Sequence, residues 1–184
     1  MSSLDALIRL LRARSVRTGN FVLASGRQSS YYIDARLTTM SAEGIHLIGQ
    51  AGLAAIRQAG WEPAAVGGLT MGADPVAYAI AAASRESPPI IDAFSVRKDP
   101  KAHGTKRRVE GNFGRGLSVV VTEDVITTGG SALQAIEAIR EEGGVVLGVL
   151  AVVDREEGGS AAIEEVGVSV VSLTTTSSLG LRLE

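Results

Sequence analysis

Apolar positions along the chain recur at two spacings, one typical of helices and the other of strands. The amino-terminal segment shows helical spacing at Leu4, Leu7, Ile8 and Leu11. A second helix is predicted over 41–59, with Ser41 as its N-cap and Gly60 at its end. Between these two segments, residues 21–36 are predicted to form two short strands around a turn.

From residue 64 onward, short apolar runs alternate with helical segments. The runs predict strands at 64–69, 90–96, 117–121, 145–153 and 168–173. This alternation predicts an α/β fold with a mainly parallel sheet flanked by helices and with right-handed crossovers. We interpret 1–184 as a single domain, in which 1–40 is a small appended segment and 41–184 is the α/β core.

The composition agrees with this fold and excludes several kinds of function. Of the 184 residues, 45% are hydrophobic but only 4% are aromatic, so we expect a core of Ala, Val, Leu and Ile. A net charge of -2 does not indicate a general surface for nucleic acid, and zero cysteines exclude disulfides and thiolate metal sites. No apolar run approaches the roughly 18–20 residues of a membrane span. We therefore expect no membrane partner, and a cytoplasmic location.

The stretch 117–140 combines an apolar run, two adjacent acids, a short polar loop and a helix. The acids are Glu123 and Asp124, and the loop 127–131 has the sequence TTGGS. Glycines let backbone N–H groups approach a phosphate, and the dipole of the following helix favours its negative charge. The acids must then face something neutral or cationic beside that phosphate, and both sugar hydroxyls and a divalent cation fit.

Three other predicted strands also end in polar or glycine-rich sequence. The first is followed by the glycine-rich turn 67–74, the second by a charged segment that begins at Arg97, and the fourth by Asp154 and Arg155. Ligands of open α/β sheets bind at the carboxyl ends of the strands. We therefore expect these segments to share one site with 123–131.

The charged segment 97–108, RKDPKAHGTKRR, holds six of the 18 Lys and Arg residues and one of the two His residues. It begins the polar stretch 97–116, for which no secondary structure is predicted. A stretch of about 20 residues without secondary structure is uncommon in a compact domain unless it is functional or disordered. Lys98 and Lys101 can offer point charges to phosphate oxygens, Arg97 can bind two oxygens at once, and His103 can donate a hydrogen bond or a proton.

Two other interpretations of 97–108 stay open at this point. The charges could simply keep a solvated segment soluble, although its position directly after a strand argues for a ligand. The segment could instead bind nucleic acid, but it lacks interleaved aromatic residues and the chain is acidic overall.

Several segments resemble the type I phosphoribosyltransferases. VVVTEDVITTGGS is similar to that family's signature for phosphoribosyl pyrophosphate (PRPP), and RKDPKAHG resembles the catalytic loop of its orotate phosphoribosyltransferases. FVLASGRQSSYYID resembles their N-terminal hood, and Asp154 with Arg155 resembles their orotate-contacting pair. The resemblance runs from about residue 4 to 175 and implies the type I phosphoribosyltransferase fold with a small N-terminal hood.

The resemblance also implies a reaction, in which orotate and PRPP give orotidine 5′-monophosphate and pyrophosphate. It implies Mg²⁺ bound chiefly through PRPP, with no metal ligands assigned in the chain, and a homodimer whose charged loop acts across the interface. Lys98, Lys101 and His103 are the implied catalytic residues, and Thr127 and Arg155 the implied orotate-binding residues. The implied PRPP-binding residues are Arg97, Lys98, Lys101, His103, Glu123, Asp124, Val125, Ile126, Thr127, Thr128, Gly129, Gly130 and Ser131.

The sequence departs from the family at two positions. Ala24 and Met71 stand where many members have a lysine, and loss of these lysines could weaken contacts to pyrophosphate or orotate.

Two alternative functions are compatible with a resemblance to the wider family. One is a phosphoribosyltransferase for another nucleobase, and the other is a ligand-sensing regulator that retains the fold. A regulator predicts a fused winged-helix domain or a basic face and loss of the loop lysines, whereas Lys98 and Lys101 are present.

Overall fold

A computed structural model describes residues 2–22, 28–99 and 107–181. Within these residues the chain forms six helices and eight strands. The helices are α1 (Ser3–Arg14), α2 (Arg36–Thr39), α3 (Ala42–Gln58), α4 (Ala73–Glu86), α5 (Gly130–Glu141) and α6 (Gly159–Glu164). The strands are β1 (Val16–Val22), β2 (Gln28–Ile33), β3 (Ala65–Leu69), β4 (Asp92–Val96), β5 (Val109–Gly111), β6 (Ser118–Ile126), β7 (Val145–Asp154) and β8 (Val170–Thr175). No helix in these ranges combines the length and the hydropathy that a membrane crossing requires.

The central sheet has six strands in the order β5-β4-β3-β6-β7-β8. Five of them are parallel, and β5 pairs antiparallel with β4 at the edge, so the prediction of a mainly parallel sheet is confirmed. All five residues of β3 are buried, as is most of β6. Because helices cover both faces of the sheet, β3 and residues 119–121 of β6 consist of apolar residues and glycine without polar alternation.

Two apolar clusters hold the helices against the two faces of the sheet. One contains residues of α1, α3 and α4, and the other contains residues of α5 and α6. Along β6, Val120 belongs to the first cluster while Val119 and Val121 belong to the second, as the two-residue period of a strand requires. Tyr31 and Ile33 of β2 also belong to the first cluster, so the amino-terminal hairpin shares its core with the sheet.

The amino-terminal hairpin confirms that two strands occur in this region, but the first is longer than predicted. Strand β1 begins at Val16, not near residue 21, because it pairs with β2 from Val16 opposite Ile33 onward. Most of β1 is exposed, so its hydrophobic pattern alone does not reveal it. The turn residues 23–27, which include Ala24, lie outside the described residues.

Two expectations for residues 97–126 are wrong. Strand β6 continues to Ile126 and does not end near residue 121, because β7 pairs with it along that length, up to Asp154 opposite Ile126. The segment 97–116 is not free of secondary structure, since it contains β5. A three-residue strand at a sheet edge depends on its neighbour's hydrogen bonds and leaves almost no pattern in the sequence.

Candidate active site

The carboxyl ends of four parallel strands lie side by side at one edge of the sheet, and the segments that follow them contact one another. The N–H of Thr70, just after β3, donates to the carbonyl of Val96 at the end of β4 (2.8 Å). The N–H of Arg155, just after β7, donates to the carbonyl of Ile126 at the end of β6 (2.9 Å). The structure therefore brings together the strand ends that the sequence marks as polar or glycine-rich.

The loop 127–131 turns the end of β6 into the start of α5 and lines a cleft of about 380 Å³. All residues of 123–131 except Asp124 line this cleft, together with Ala132 and Gln134. Gly129 is the N-cap of α5 and has no side chain to cap the helix, so N–H groups of its first turn are open to an anion. The sequence analysis missed Gln134, whose position one turn into α5 is the signal that could have found it.

A contact between two glycines holds this loop in place. Gly129 has φ 81°, which is the left-handed region, and a Cβ there would lie 2.7 Å from the carbonyl oxygen of Gly159. A Cβ on Gly159 would in turn lie 2.6 Å from the carbonyl oxygen of Thr127. Only glycine fits at two such close backbone approaches, so α6 packs directly beneath the loop.

Glu123 lies inside β6, where its side chain has almost no contact with solvent. The residue is 5% exposed, and its Oε2 atom is buried without a hydrogen-bond partner among the described residues. Burial, followed by the charge of the adjacent Asp124, raises the pKa of Glu123 from 4.5 to about 9. Glu123 is therefore protonated at neutral pH in this ligand-free form, and it has an oxygen ready for a hydroxyl group or a cation.

Asp124, whose side chain interacts with that of Glu123, also contacts a second segment of the site. It is half-buried, and a Cβ added to Gly72 would lie 2.6 Å from its Oδ1 atom. Asp124 therefore lies directly against the glycine-rich turn that precedes α4. The two acids connect the loop 127–131 on one side with the turn 70–73 on the other.

Asp74 holds that turn to the neighbouring strand, a role that the sequence analysis did not assign. The hydroxyl of Thr70 donates to Oδ2 of Asp74 (2.5 Å), and the hydroxyl of Ser95 donates to Oδ1 (2.7 Å). Ser95 lies in β4, 21 residues further along the chain. Hydroxyl residues near a glycine-rich turn are common, so no local pattern identifies this network.

The charged segment 97–108 connects β4 to β5. The N–H of Arg97 donates to the carbonyl of Arg108 (2.8 Å), which brings the two ends of the segment together. The side chain of Arg97 is 47% exposed and lies 3.7 Å from Oε1 of Glu110, and Lys98 is exposed. Lys101 and His103 lie outside the described residues.

Glu142, at the end of α5, anchors the charged segment and was not predicted. Its Oε1 atom accepts hydrogen bonds from the N–H groups of Arg108 (2.7 Å) and Val109 (3.0 Å). Helix α5 therefore begins at the loop 127–131 and ends at the base of the charged segment. The sequence separation of 33 between Val109 and Glu142 explains why the sequence gives no sign of this contact.

Arg155 is buried just after β7, at the same level as Thr127, which follows the neighbouring strand β6. It is 8% exposed, its guanidinium lies 5.6 Å from the ring centroid of Tyr31, and its Nη2 lies 2.8 Å from Oε1 of Glu157. This burial argues against an exposed ion pair in an ordinary turn. Tyr31 and Glu157 are further residues of this site that the sequence analysis did not assign.

The acidic pair fits a metal ion that takes part of its coordination from a bound ligand. Within residues 2–22, 28–99 and 107–181, no three His, Asp or Glu side chains are grouped closely enough to hold a metal ion. Glu123 and Asp124 supply carboxylate oxygens, which are the ligands that Mg²⁺ prefers, and one of these oxygens is buried without a hydrogen bond to any described residue. The acids therefore fit an ion whose other ligands come from a bound phosphate compound.

Comparison with known proteins gives relatives that match over almost the whole chain, although no family model matches it. The orotate phosphoribosyltransferase of Aquifex aeolicus is 48% identical over 178 residues, which cover 95% of this chain and 96% of the relative. The structure of Mycobacterium tuberculosis H37Rv orotate phosphoribosyltransferase in complex with Fe(III) dicitrate has a TM-score of 0.86 at 45% identity, covering 97% of this chain and 99% of the other. A structure of that enzyme in complex with PRPP has a TM-score of 0.81 at 40% identity, with the same coverage.

Gly129→Ala is expected to destabilise the protein more than Gly116→Ala does. The two glycines have nearly the same φ, 81° and 82°, but nothing lies within 4 Å of a Cβ on Gly116. Backbone strain should cost each variant about 1–2 kcal/mol, and the clash with Gly159 should add at least about 1 kcal/mol at Gly129. Urea unfolding followed by circular dichroism measures both losses, and equal losses would contradict the packing of α6 beneath the loop.

Glu123→Gln is expected to remove part of the pH dependence of stability. Because folding raises the pKa of Glu123 to about 9, the folded chain keeps a proton that the unfolded chain releases above pH 4.5. The free energy of unfolding should therefore fall as the pH rises through this window, by up to about 1.4 kcal/mol per pH unit from this group.

Urea unfolding of the ligand-free protein between about pH 5.5 and about pH 8.5 measures this slope for the wild type and the variant. Glu137→Gln, the same change at an exposed position of α5, is the control and should keep the wild-type slope. If wild type and Glu123→Gln give parallel profiles, Glu123 is not protonated in the folded protein.

Proposed function

Because the chain belongs to the orotate phosphoribosyltransferase family, we propose that it transfers the phosphoribosyl group of PRPP to orotate. The products are orotidine 5′-monophosphate and pyrophosphate, and the step serves pyrimidine nucleotide biosynthesis. The observation that carries the proposal is the pairing of Ile126 with Asp154, which makes Thr127 and Arg155 neighbours at the edge of the sheet. This pairing sets the phosphate loop beside the arginine assigned to orotate.

The loop 127–131 is suited to the 5′-phosphate of PRPP. Its backbone and the uncapped first turn of α5 offer N–H donors, and the helix dipole adds a favourable field. Glu123 and Asp124 are placed to hold the two ribose hydroxyls, since the buried oxygen of Glu123 gains a hydrogen bond when a hydroxyl group arrives. These roles explain why two acids stand beside a phosphate site.

The charged segment supplies what the leaving group requires. When the bond between the ribose C1 and the pyrophosphate oxygen breaks, positive charge develops on the ribose and negative charge on pyrophosphate. Arg97, Lys98, Lys101 and His103 are proposed to stabilise that negative charge, while a nitrogen of orotate forms the new bond to C1. Closure of the segment over the site keeps water from the ribose cation. The hydrogen bond from Arg108 to Glu142 fixes the carboxyl-terminal end of the segment, about which the segment is proposed to close.

Mg²⁺ is proposed to enter with PRPP, with Asp124 and Glu123 as the carboxylates nearest to it. When bound, the ion supplies positive charge that offsets the charge of the pyrophosphate oxygens. Asp124 lies against the turn 70–73, so a group bound there is within reach of its carboxylate. Asp74 fixes this turn through its hydrogen bonds to Thr70 and Ser95, which keeps its backbone N–H groups in position.

Arg155 is proposed to bind the carboxylate of orotate, and Thr127 to contact the base from the neighbouring strand. A guanidinium can donate two parallel hydrogen bonds to one carboxylate, which gives both energy and orientation. Tyr31 limits the guanidinium on one side. This arrangement favours a base with a carboxylate over uracil or a purine.

A homodimer is also part of the proposal, with the charged segment acting across the interface. Leu37, Met40 and Met71 are 42%, 45% and 59% exposed, and they line one surface depression between α2 and the turn before α4. A patch of exposed apolar side chains next to a site is typical of a surface that another protein covers. Met71, which replaces the lysine of many family members, belongs to this patch. A cytoplasmic location remains a prediction from the sequence.

The experiment that tests the reaction is an assay with PRPP, Mg²⁺ and each of orotate, uracil, hypoxanthine and adenine. We expect the absorbance of orotate to fall as orotidine 5′-monophosphate forms, and no turnover of the purines. Activity with a purine alone would favour a phosphoribosyltransferase for another nucleobase. Binding of PRPP without turnover of any base would favour the ligand-sensing regulator.

Lys101→Ala is expected to lower kcat by at least about 100-fold, because the variant loses a charge that stabilises the leaving pyrophosphate. Its circular dichroism spectrum and unfolding midpoint should match those of the wild type. Lys106→Ala is the matched control, since it removes the same charge from the same segment outside the motif RKDPKAHG. Near wild-type turnover by Lys101→Ala would refute the catalytic role of the segment.

A further inference from the structure

Arg155, which the proposed function assigns to the carboxylate of orotate, already lies against a carboxylate of this chain. Its Nη2 is 2.8 Å from Oε1 of Glu157, and the two side chains are only 10% and 9% exposed. A buried guanidinium next to a buried carboxylate forms a pair with no net charge. An anionic ligand is therefore not attracted to this pair as it would be to an isolated arginine.

The contact between Glu157 and Arg155 is close but poorly aligned. Neither Nε nor Nη2 of Arg155 makes a hydrogen bond with correct geometry to any residue that the structure describes. The best arrangement of arginine and carboxylate has two parallel hydrogen bonds, so Glu157 leaves donors of Arg155 unused. A planar ligand carboxylate that engages two donors would bind the guanidinium better than Glu157 does.

Glu157 lies in a turn whose backbone is left-handed on both sides of it. Glu156 has φ 59° and Gly158 has φ 90°, so Glu157 lies between two residues in the left-handed region. The carboxylate of Glu156 accepts hydrogen bonds from the Thr176 hydroxyl and the Ser177 N–H, each 2.7 Å. The carboxylate of Glu156 is therefore engaged elsewhere, and Glu157 is the carboxylate of this turn that contacts Arg155.

We propose that Glu157 is an internal substitute for the carboxylate of orotate and that the ligand displaces it from Arg155. The proposal rests on the proposed function, because it takes orotate as the ligand. Glu157 thereby acts as a specificity-determining residue. A neutral base such as uracil cannot offset the cost of breaking a buried ion pair, whereas a base with a carboxylate replaces the contact that it breaks.

Steady-state kinetics of Glu157→Gln at saturating PRPP test the exchange. The amide keeps the size of the side chain but cannot compete as an anion, so the KM for orotate should fall by about three- to tenfold, and kcat should change less. The KM for uracil should fall by at least as large a factor, because the variant lacks the ion pair that a neutral base must break without replacement. Glu164→Gln, the same change at an exposed position of α6, is the control and should keep wild-type constants.

The opposite sign identifies a different role for Glu157. If Glu157 only held Arg155 in place, Glu157→Gln would raise the KM for orotate, and either that result or an unchanged KM overturns the proposal. In an Arg155→Gln background, Glu157→Gln should have no further effect on KM, because the exchange needs the guanidinium. A full effect in that background would also overturn it.

Two additions keep the result clear. Glu157→Asp retains the charge that balances Arg155 but is shorter, so it should fold even if Glu157→Gln does not, and its KM for orotate should fall by a smaller factor. The wild type is assayed first. A wild type without activity on orotate refutes the proposed function, whereas an active wild type with an unchanged or raised KM in these variants refutes only the displacement.

Discussion

The loop 127–131 and Arg155, on the two sides of the candidate site, depend on the parallel pairing between β6 and β7. The pairing continues to Ile126 and Asp154, so the loop 127–131 and Arg155 leave the sheet at the same level. The turn after each strand then packs on the other, through the close approach of Gly129 and Gly159. A slip of one residue would turn Glu123 away from the cleft and separate the phosphate loop from the arginine. The register of one strand pair thus sets the distance between the proposed phosphate loop and the arginine proposed to bind orotate.

The same pairing explains the unusual state of Glu123. Because β6 continues beyond its apolar run 119–121, the side chain of Glu123 is buried in the interior of the protein. Burial of its Oε2 atom without a hydrogen-bond partner among the described residues is unfavourable, and the raised pKa of Glu123 reports the cost of its burial. In the proposed function, a hydroxyl group or a cation supplied by the ligand relieves this cost. The fold therefore holds part of the proposed binding site in a state that a bound substrate would improve.

Much of the fold follows from local patterns in the sequence, and so does the phosphate loop. Apolar runs predict the strands, helical spacing predicts α5, and TTGGS after two acids predicts an anion site at its first turn. The residues that no local pattern reveals act across long separations in the chain. Glu142 holds Arg108, Asp74 accepts from Ser95, and Tyr31 lies on Arg155, so each depends on the complete tertiary structure. Strand β5 escapes prediction for the same reason.

The position of Tyr31 has a consequence for the amino-terminal hairpin. The ring is 2% exposed and forms one wall around Arg155, although it belongs to β2 and not to the sheet that carries the rest of the site. The docking of the hairpin and the binding of a ligand at Arg155 therefore share one surface, and each contributes to the equilibrium of the other. With Arg155 in its proposed role, the affinity for the base would in part measure how firmly the hairpin is held to the core.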